Sequence, residues 1–326
     1  EAWYLKTCFM SSLKSEYKIR MLIRRKNDKK ENAMKAVILV VFVLTVAAVL
    51  CLLEAYREQQ YFKVTEDVVV SRRLNGLKKE KKIVFLSDLH NKEYGVGNER
   101  LLDAICKARP DLILIGGDML VGKKGCSFAP ALKFVSKLPA IAPVYYACGN
   151  HEQRMKRKPE VYGEVYQEYQ KQLEECGVHF LENSSVLLKE DDCRIRISAL
   201  ELPLATYTKF KKYRVTEQDV TACIEKEAAD YEILLAHNPV YFDAYKKWGA
   251  DLVLSGHLHG GIIRLPGIGG LITPQAIPFP KYSGEMTTEG EQTIIVSRGL
   301  GTHTINLRFL NEAEMIVIHL RGEKDS

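Results

Sequence analysis

None of the eight cysteines, at 8, 51, 106, 126, 148, 176, 193 and 223, forms a CxxC pair, and they are too dispersed for a tight framework. That excludes a zinc ribbon and a small disulfide scaffold. The thiols are expected to be mostly free and buried, with a single bridge left open. No internal repeat and no low-complexity segment appears, which excludes a solenoid. Excess charge is also scarce. Of the formal +6, residues 1–33 hold +5, nine Lys/Arg against four Asp/Glu, and the remainder only +1. A nucleic-acid-binding surface therefore lacks its main support. With 46% hydrophobic and 27% charged residues, the composition is that of a globular chain.

What is present first is an apolar run, Ala36 to Leu53, eighteen residues without a charge. A helix of that length can just span a bilayer. Leu50-Cys51-Leu52-Leu53 at its end suits neither signal-peptide cleavage nor a lipoprotein site, so an uncleaved anchor is expected. Arg24, Arg25, Lys26, Lys29, Lys30 and Lys35 precede it, which favours an extracytoplasmic domain. Lys30-Glu31 can be encoded as a ribosome-binding sequence, with Asn32-Ala33 as spacer, so Met34 is the expected start residue. The resulting layout is a basic, non-native segment at 1–33, an anchor or signal at 34–54, a juxtamembrane stalk at 55–81 with one strand near Lys63 to Val70, a single domain at 82–321 and a tail at 322–326.

From Lys82 onward, short apolar runs alternate with helical stretches, the pattern of a buried sheet with βα connections. Ile83 to Leu86, Leu112 to Ile115, Val144 to Ala147, Ile233 to Ala236 and Leu252 to Ser255 read as strands. Helices are expected over Pro159 to Cys176, closed by Gly177, and about Thr216 to Ala229, with a β-rich stretch from His179 to Leu200. Ligands in open α/β sheets sit beyond the carboxyl ends of strands. Just there stand Asp88, His90, Asp118, Asn150 and His151 in the first half, and His237, His257 and His259 in the second. Two divalent cations about 3.5–4 Å apart need a bridging carboxylate and several O or N ligands, and can then hold both oxygens of an in-line displacement at phosphorus. Aspartate, asparagine and neutral histidine meet that need. A lone DxH is common turn chemistry; the five motifs in order are the strong signal.

The series Asp88-Leu89-His90, Gly117-Asp118, Gly149-Asn150-His151-Glu152, His237 and Gly256-His257-Leu258-His259 resembles the calcineurin-like metallophosphoesterase superfamily over nearly all of 82–321. Ile233 to Pro239 (ILLAHNP), Arg264 to Gly267 (RLPG), Lys281 to Gly284 (KYSG) and Val296 to Gly301 (VSRGLG) are similar to its membrane-associated bacterial phosphodiesterase branch. Ile262, and Ala313 before Glu314, depart from that branch and bear on substrate contacts, not on metal binding. The resemblance implies a four-layer α/β/β/α sandwich preceded by one transmembrane helix. It implies one metal held by Asp88, His90, Asp118 and His259, and a second by Asp118, Asn150, His237 and His257, with Asp118 bridging. It also puts His151 on the leaving-group side while a metal-activated hydroxide attacks phosphorus.

Glu152 is placed to orient the His151 ring, and His303, after the Gly299-Leu300-Gly301 loop, to border the site. Tyr207 to Tyr213, with Lys209, Phe210, Lys211 and Lys212, read as a solvated loop face. The mixed N/O ligand set suits manganese, iron or zinc. The expected activity is hydrolysis of a phosphate ester, foremost a phosphodiester or a lipid- or nucleotide-sugar pyrophosphate, with a lipid-linked substrate suggested by the anchor. The alternatives are a tethered binding or scaffold protein of the same fold and, behind it, a nuclease, which predicts a basic groove the near-neutral domain does not advertise.

Overall fold

Short apolar runs whose alternate side chains point opposite ways need a packing partner on each side, and the computed structural model supplies both. It describes residues 2–208, 211, 213–261, 264–265, 269–273, 278–302 and 308–323. Two compact units make up the chain, Glu1–Leu53 and Glu54–Ser326. The first consists of helix, part of α1 (Ala2–Gln60). It carries an eighteen-residue window of mean hydropathy 3.3, none of it buried, long and apolar enough to cross a membrane.

In the second unit the strands are β1 (Phe62–Ser71), β2 (Lys81–Leu86), β3 (Leu112–Ile115), β4 (Val144–Ala147), β5 (Val178–Leu181), β6 (Ser184–Glu190), β7 (Cys193–Leu200), β8 (Tyr231–Ala236), β9 (Leu252–Ser255), the two-residue ribbon β10 (Arg264–Leu265) and β11 (Gly269–Gly270), β12 (Met286–Glu289), β13 (Gln292–Val296) and β14 (Ala313–Gly322). The helices are α2 (Glu99–Ala108), α3 (Ala129–Val135), α4 (Asn150–Arg157), α5 (Pro159–Tyr162), α6 (Val165–Glu175), α7 (Glu217–Cys223) and α8 (Phe242–Trp248). One six-stranded sheet has the order β1-β14-β2-β3-β4-β5, and the other β12-β13-β9-β8-β7-β6.

The period-two alternation sorts the core into three layers of contact. In β2, Val84 and Leu86 face α2, α3 and α6 through Leu101, Phe134 and Tyr169. Ile83 and Phe85 face the other way, into the second sheet's Ile197, Ile233 and Leu235. In β8, Leu234 and Ala236 meet Val220 of α7 and Phe242 and Trp248 of α8. Helix, sheet, sheet and helix therefore stack in the expected four layers.

Three expectations change. Inside the 55–81 stretch, Phe62–Ser71 is a full strand paired in parallel with β14, so the sheet begins twenty residues ahead of Lys82. The strand itself was expected near Lys63 to Val70; its place in the domain's sheet was not, because the polar alternation of an edge strand suits a stalk equally well. The helix expected from Pro159 to Cys176 breaks at Gly163, whose φ of 63° and ψ of −146° only glycine adopts readily. The helix from Thr216 ends at Cys223, because Ile224 turns into the core and the Arg196 guanidinium donates to the carbonyls of Glu225 and Glu227, holding that segment in an open turn. Among the described cysteines all are free, but only Cys148 and Cys193 are buried. Cys106 is exposed on α2, and Cys176 is exposed in the turn just past α6.

Phe85 is fully buried between the sheets, and a Cβ on neighbouring Gly116 would come within 2.6 Å of its ring. Phe85→Ala is expected to destabilise the protein by about 3–5 kcal/mol. Urea denaturation of the full chain measures it, and a loss below about 1 kcal/mol would contradict close packing of the sheets there.

Candidate metal centre

Asp88 and His90 follow β2, Asp118 follows β3, Asn150 and His151 open α4 after β4, His237 follows β8, and His257 and His259 follow β9. Within each sheet these strands run parallel, so their carboxyl ends lie side by side. Their side chains converge in one crevice, and all are buried except the partly exposed His259.

The turns that carry them are unusual. Asp88, His90, Asp118, His257 and His259 have φ of 55°, 49°, 55°, 66° and 51°, left-handed backbone that side chains rarely adopt. Hydrogen bonds hold them there. Asp88 N–H donates to Gly117 O at 2.9 Å, His90 N–H to Asp118 O at 3.0 Å and Gly301 N–H to Asp88 O at 2.6 Å. Two glycines admit the carboxylates: a Cβ on Gly149 would sit 2.2 Å from Asp118 Oδ1, and one on Gly256 2.2 Å from Asp88 Oδ2.

Each carboxylate has one oxygen occupied and one presented. Asp88 Oδ2 accepts from Ser87 Oγ at 2.6 Å, and the His257 N–H is shared between Oδ2 at 3.1 Å and Oδ1 at 3.2 Å. Asp88 Oδ1 faces Nε2 of His259, His90 and His237 at 3.4, 3.8 and 3.8 Å. Asp118 Oδ1 accepts from His151 N–H at 2.7 Å, while Oδ2 faces Nε2 of His237 at 3.2 Å and of His90 at 4.0 Å. The imidazoles are oriented from behind. His237 Nδ1–H donates to Gly116 O at 2.7 Å and His259 Nδ1–H to Gly301 O at 3.1 Å, so both turn Nε2 toward the carboxylates.

An imidazole nitrogen 3.2 Å from a carboxylate oxygen needs a proton or a metal cation between them. Ligand atoms each about 2.0–2.2 Å from a common ion stand roughly 3–4 Å apart, the spacing found here. Asn150 Oδ1 adds a buried oxygen with no hydrogen-bond partner. The donors therefore fit divalent metal, and among the described residues they fall into the overlapping groups Asp88, His90, His259; His90, Asp118, His151; and Asp118, His237, His257. A fourth cluster, Cys148, Glu182 and Glu201, already holds a cation in Lys156 Nζ, 2.8 Å from Glu182 and 3.0 Å from Glu201.

Without metal the crevice is electrostatically strained. Burial pushes Asp88 up to about 6, opposed by His237 and reinforced by Asp118. Burial also raises Asp118, but His237, His151 and His90 outweigh it and hold that carboxyl well below its usual range. Burial alone would depress His237; Asp118 and Asp88 overcome it and raise the imidazole to about 10. Burial, then His90 and Arg308, keep His259 neutral.

His151 sits beside the ligands, Nε2 4.0 Å from Asp118 Oδ2. Its ring is not oriented by Glu152, as expected from the sequence. Gly122 N–H donates to His151 Nδ1 at 2.7 Å, which places the proton on Nε2. The Glu152 carboxylate instead accepts from the N–H groups of Asp118, Met119 and Gly149 at 2.9, 2.9 and 3.1 Å and from Tyr146 Oη at 2.8 Å, fixing the Asp118 turn. His303 lies outside the described residues, as do Ile262, Lys209, Phe210 and Lys212.

Two residues went unrecognised in the sequence. Tyr207, read as loop surface, packs its ring edge-on to His257 with centroids 4.9 Å apart. Arg308, buried, donates to Gly299 O and to Gly301 O at 2.9 and 2.7 Å, behind His259. The aromatic spacing of 207–213 gave no cue to the first, and an isolated arginine none to the second.

Residues 81–261 match the model of the family described as calcineurin-like phosphoesterase. Phosphodiesterase YaeI of Escherichia coli (strain K12) is 27% identical over 230 residues, 68% of this chain and 75% of that protein. Two proteins of Bacillus subtilis (strain 168) are similar as well. Uncharacterized metallophosphoesterase YkuE is 29% identical over 273 residues, 82% of this chain and 88% of that one, and uncharacterized metallophosphoesterase YkoQ is 26% identical over 258 residues, 77% and 90%.

Between its ordinary 6.5 and the raised value of about 10, His237 carries a proton in the metal-free protein. A cation at Nε2 must displace it. Mn²⁺ binding at pH 7.5 is therefore expected to release protons, and apparent affinity to rise with pH across that window. Calorimetry in two buffers of different ionisation enthalpy reads this directly; equal heats in both would refute it.

Proposed function

From the premise that the chain belongs to the calcineurin-like phosphoesterase family, and so is a metal-dependent phosphoesterase, we propose that its site takes two divalent cations and hydrolyses phosphodiesters or pyrophosphates. The observation that carries the two-ion reading is Asp118. Its Oδ2 faces His237 of one ligand group and His90 of the other, the position of a bridging carboxylate. Asp88, His90 and His259 complete one site, and Asn150, His237 and His257 the other. Manganese, iron and zinc all suit this mixture of imidazole, carboxylate and amide oxygen.

When bound, such cations acidify water and neutralise charge on the phosphoryl oxygens. The protein's own share is orientation. Asp118 and Asp88 each keep one oxygen directed inward because the other is saturated by N–H or O–H donors. His151 keeps its proton on Nε2, aimed into the crevice, because Gly122 N–H occupies Nδ1. That N–H is the donor we assign to the leaving oxygen. Tyr207 walls the side of His257.

Residues 34–54 serve in this reading as the membrane anchor, with the catalytic unit outside the cytoplasm. A tether of that kind brings lipid-linked phosphate esters within reach of the site. Recovery of the protein in the pellet after an alkaline carbonate wash is expected, and its release into the supernatant would count against anchoring.

The decisive assay is hydrolysis of bis(p-nitrophenyl) phosphate and p-nitrophenyl phosphate with Mn²⁺. The diester should be preferred. His151→Ala should lower kcat about 10²–10⁴-fold with Mn²⁺ binding retained, and Asp118→Asn should lose activity together with one equivalent of bound Mn²⁺. Full activity in His151→Ala would remove its assigned role, and two retained equivalents in Asp118→Asn the bridging one.

A further inference from the structure

The last turn of α1 belongs to the same compact unit as the crevice, Glu54–Ser326. In that turn Arg57, exposed, pairs with Glu54 at 2.7 Å and Glu312 at 3.4 Å, contacts of the kind that contribute little. Glu58 differs. It is 2% exposed, and a carboxylate is rarely buried without a partner. Its partner is a main-chain group: Asn311 N–H donates to Glu58 Oε2 at 3.1 Å.

Asn311, 1% exposed, passes the constraint on. Its side-chain amide donates to His259 O at 2.6 Å and to Gly261 O at 2.7 Å, bracketing the turn in which His259 holds its left-handed φ of 51°. Arg308 Nη1 donates to Asn311 O at 3.2 Å, and its Nη2 grips Gly301 O, the carbonyl that also receives the His259 ring proton. His259 is thereby held twice, by its backbone through Asn311 and by its ring through Gly301. Glu58 fixes the first of these holds.

We infer that Glu58 is a positioning residue for His259, and that the end of the N-terminal helix is a working part of the metal centre and more than a tether. The inference rests on reading His259 as a metal ligand. Truncating Glu58 leaves the Asn311 N–H buried without an acceptor, a group that must then move to find one. Any movement of Asn311 releases the carbonyls of His259 and Gly261. Loss of a group that orients a ligand from behind typically costs about 10–100-fold in metal affinity.

Full-length wild type, Glu58→Ala, Glu58→Gln, Glu58→Asp and Glu54→Ala are titrated with Mn²⁺ by calorimetry in detergent, with thermal melts on the same samples. Glu58→Ala should weaken one of two Mn²⁺ sites by about tenfold or more. Glu58→Gln retains an acceptor oxygen and should stay within about threefold of wild type. Glu58→Asp, one methylene short, should fall between, and Glu54→Ala should match wild type. The diester assay should show the same order in the Mn²⁺ concentration needed for half-maximal rate, with kcat recovering at saturating metal. A lowered melting temperature with unchanged Mn²⁺ affinity overturns the inference, because Glu58 then only supports the fold. If Glu58→Ala does not fold, Glu58→Asp decides, and wild-type affinity in that variant overturns it equally. A wild type that binds fewer than two Mn²⁺ overturns the binuclear reading itself and this inference with it; two bound ions with indifferent variants overturn the inference alone.

Discussion

Two carboxylates placed inside the protein govern the architecture around them. Asp88 and Asp118 are 0% and 2% exposed, and like charges that close in a low-dielectric crevice raise each other's energy unless cations intervene. The strands deliver them, since each stands just past a carboxyl end, but the fold does not make them comfortable. Comfort comes from hydrogen-bond donors that saturate one oxygen of each and from a ring of imidazoles that faces the other. The same geometry that makes the metal-free site uncomfortable makes it selective for a compact, multiply charged cation.

Holding those groups in register costs backbone energy. Left-handed conformations at non-glycine residues cost on the order of 1–3 kcal/mol each when the surroundings enforce them, and five of the metal-type residues adopt one. They persist because the turns cross-brace. Asp88 bonds the Gly117 carbonyl, His90 the Asp118 carbonyl, Gly256 the His237 carbonyl and Gly301 the Asp88 carbonyl. Three of these bonds tie neighbouring loops within a sheet and the fourth joins the two sheets, so the crevice behaves as one braced object set on two rigid edges.

Much of this was legible in the sequence, and the reason is locality. A strand that ends in a polar cluster announces its position through a period-two run followed by Gly, Asp, Asn or His, so the strands carrying Asp88, Asp118, Asn150, His237 and His257 could be drawn nearly to the residue. Tertiary partners could not. The break at Gly163 and the early end of α7 depend on a glycine's φ and on Arg196 reaching two distant carbonyls. The edge strand β1 was legible as a strand near Lys63 to Val70, but its mostly exposed alternation gave no sign that it pairs with β14 as part of the sheet. Tyr207 and Glu58 act across 50 and 253 residues of chain, and Arg308 reaches loop carbonyls 7 and 9 residues back, through contacts that no spacing encodes.

The start of α4 shows why adjacency in a motif misleads about roles. Successive helical residues rotate by about 100°, so Asn150, His151 and Glu152 cannot share a direction. Asn150 keeps a buried amide oxygen without a hydrogen-bond partner. His151 lies alongside, its ring set by Gly122 from the loop after β3 and not by its neighbour. Glu152 turns back under the Asp118 loop, where three N–H groups and a tyrosine hydroxyl converge on it. Burial drives its carboxyl up to about 7, with Asp118 adding to the effect and the donors opposing it. A neutral isostere can still accept from those donors, whereas an apolar side chain leaves three buried N–H groups unpaired. The residue is thus required as an acceptor array beneath Asp118, and only the helix geometry, not the motif's order, assigns it there.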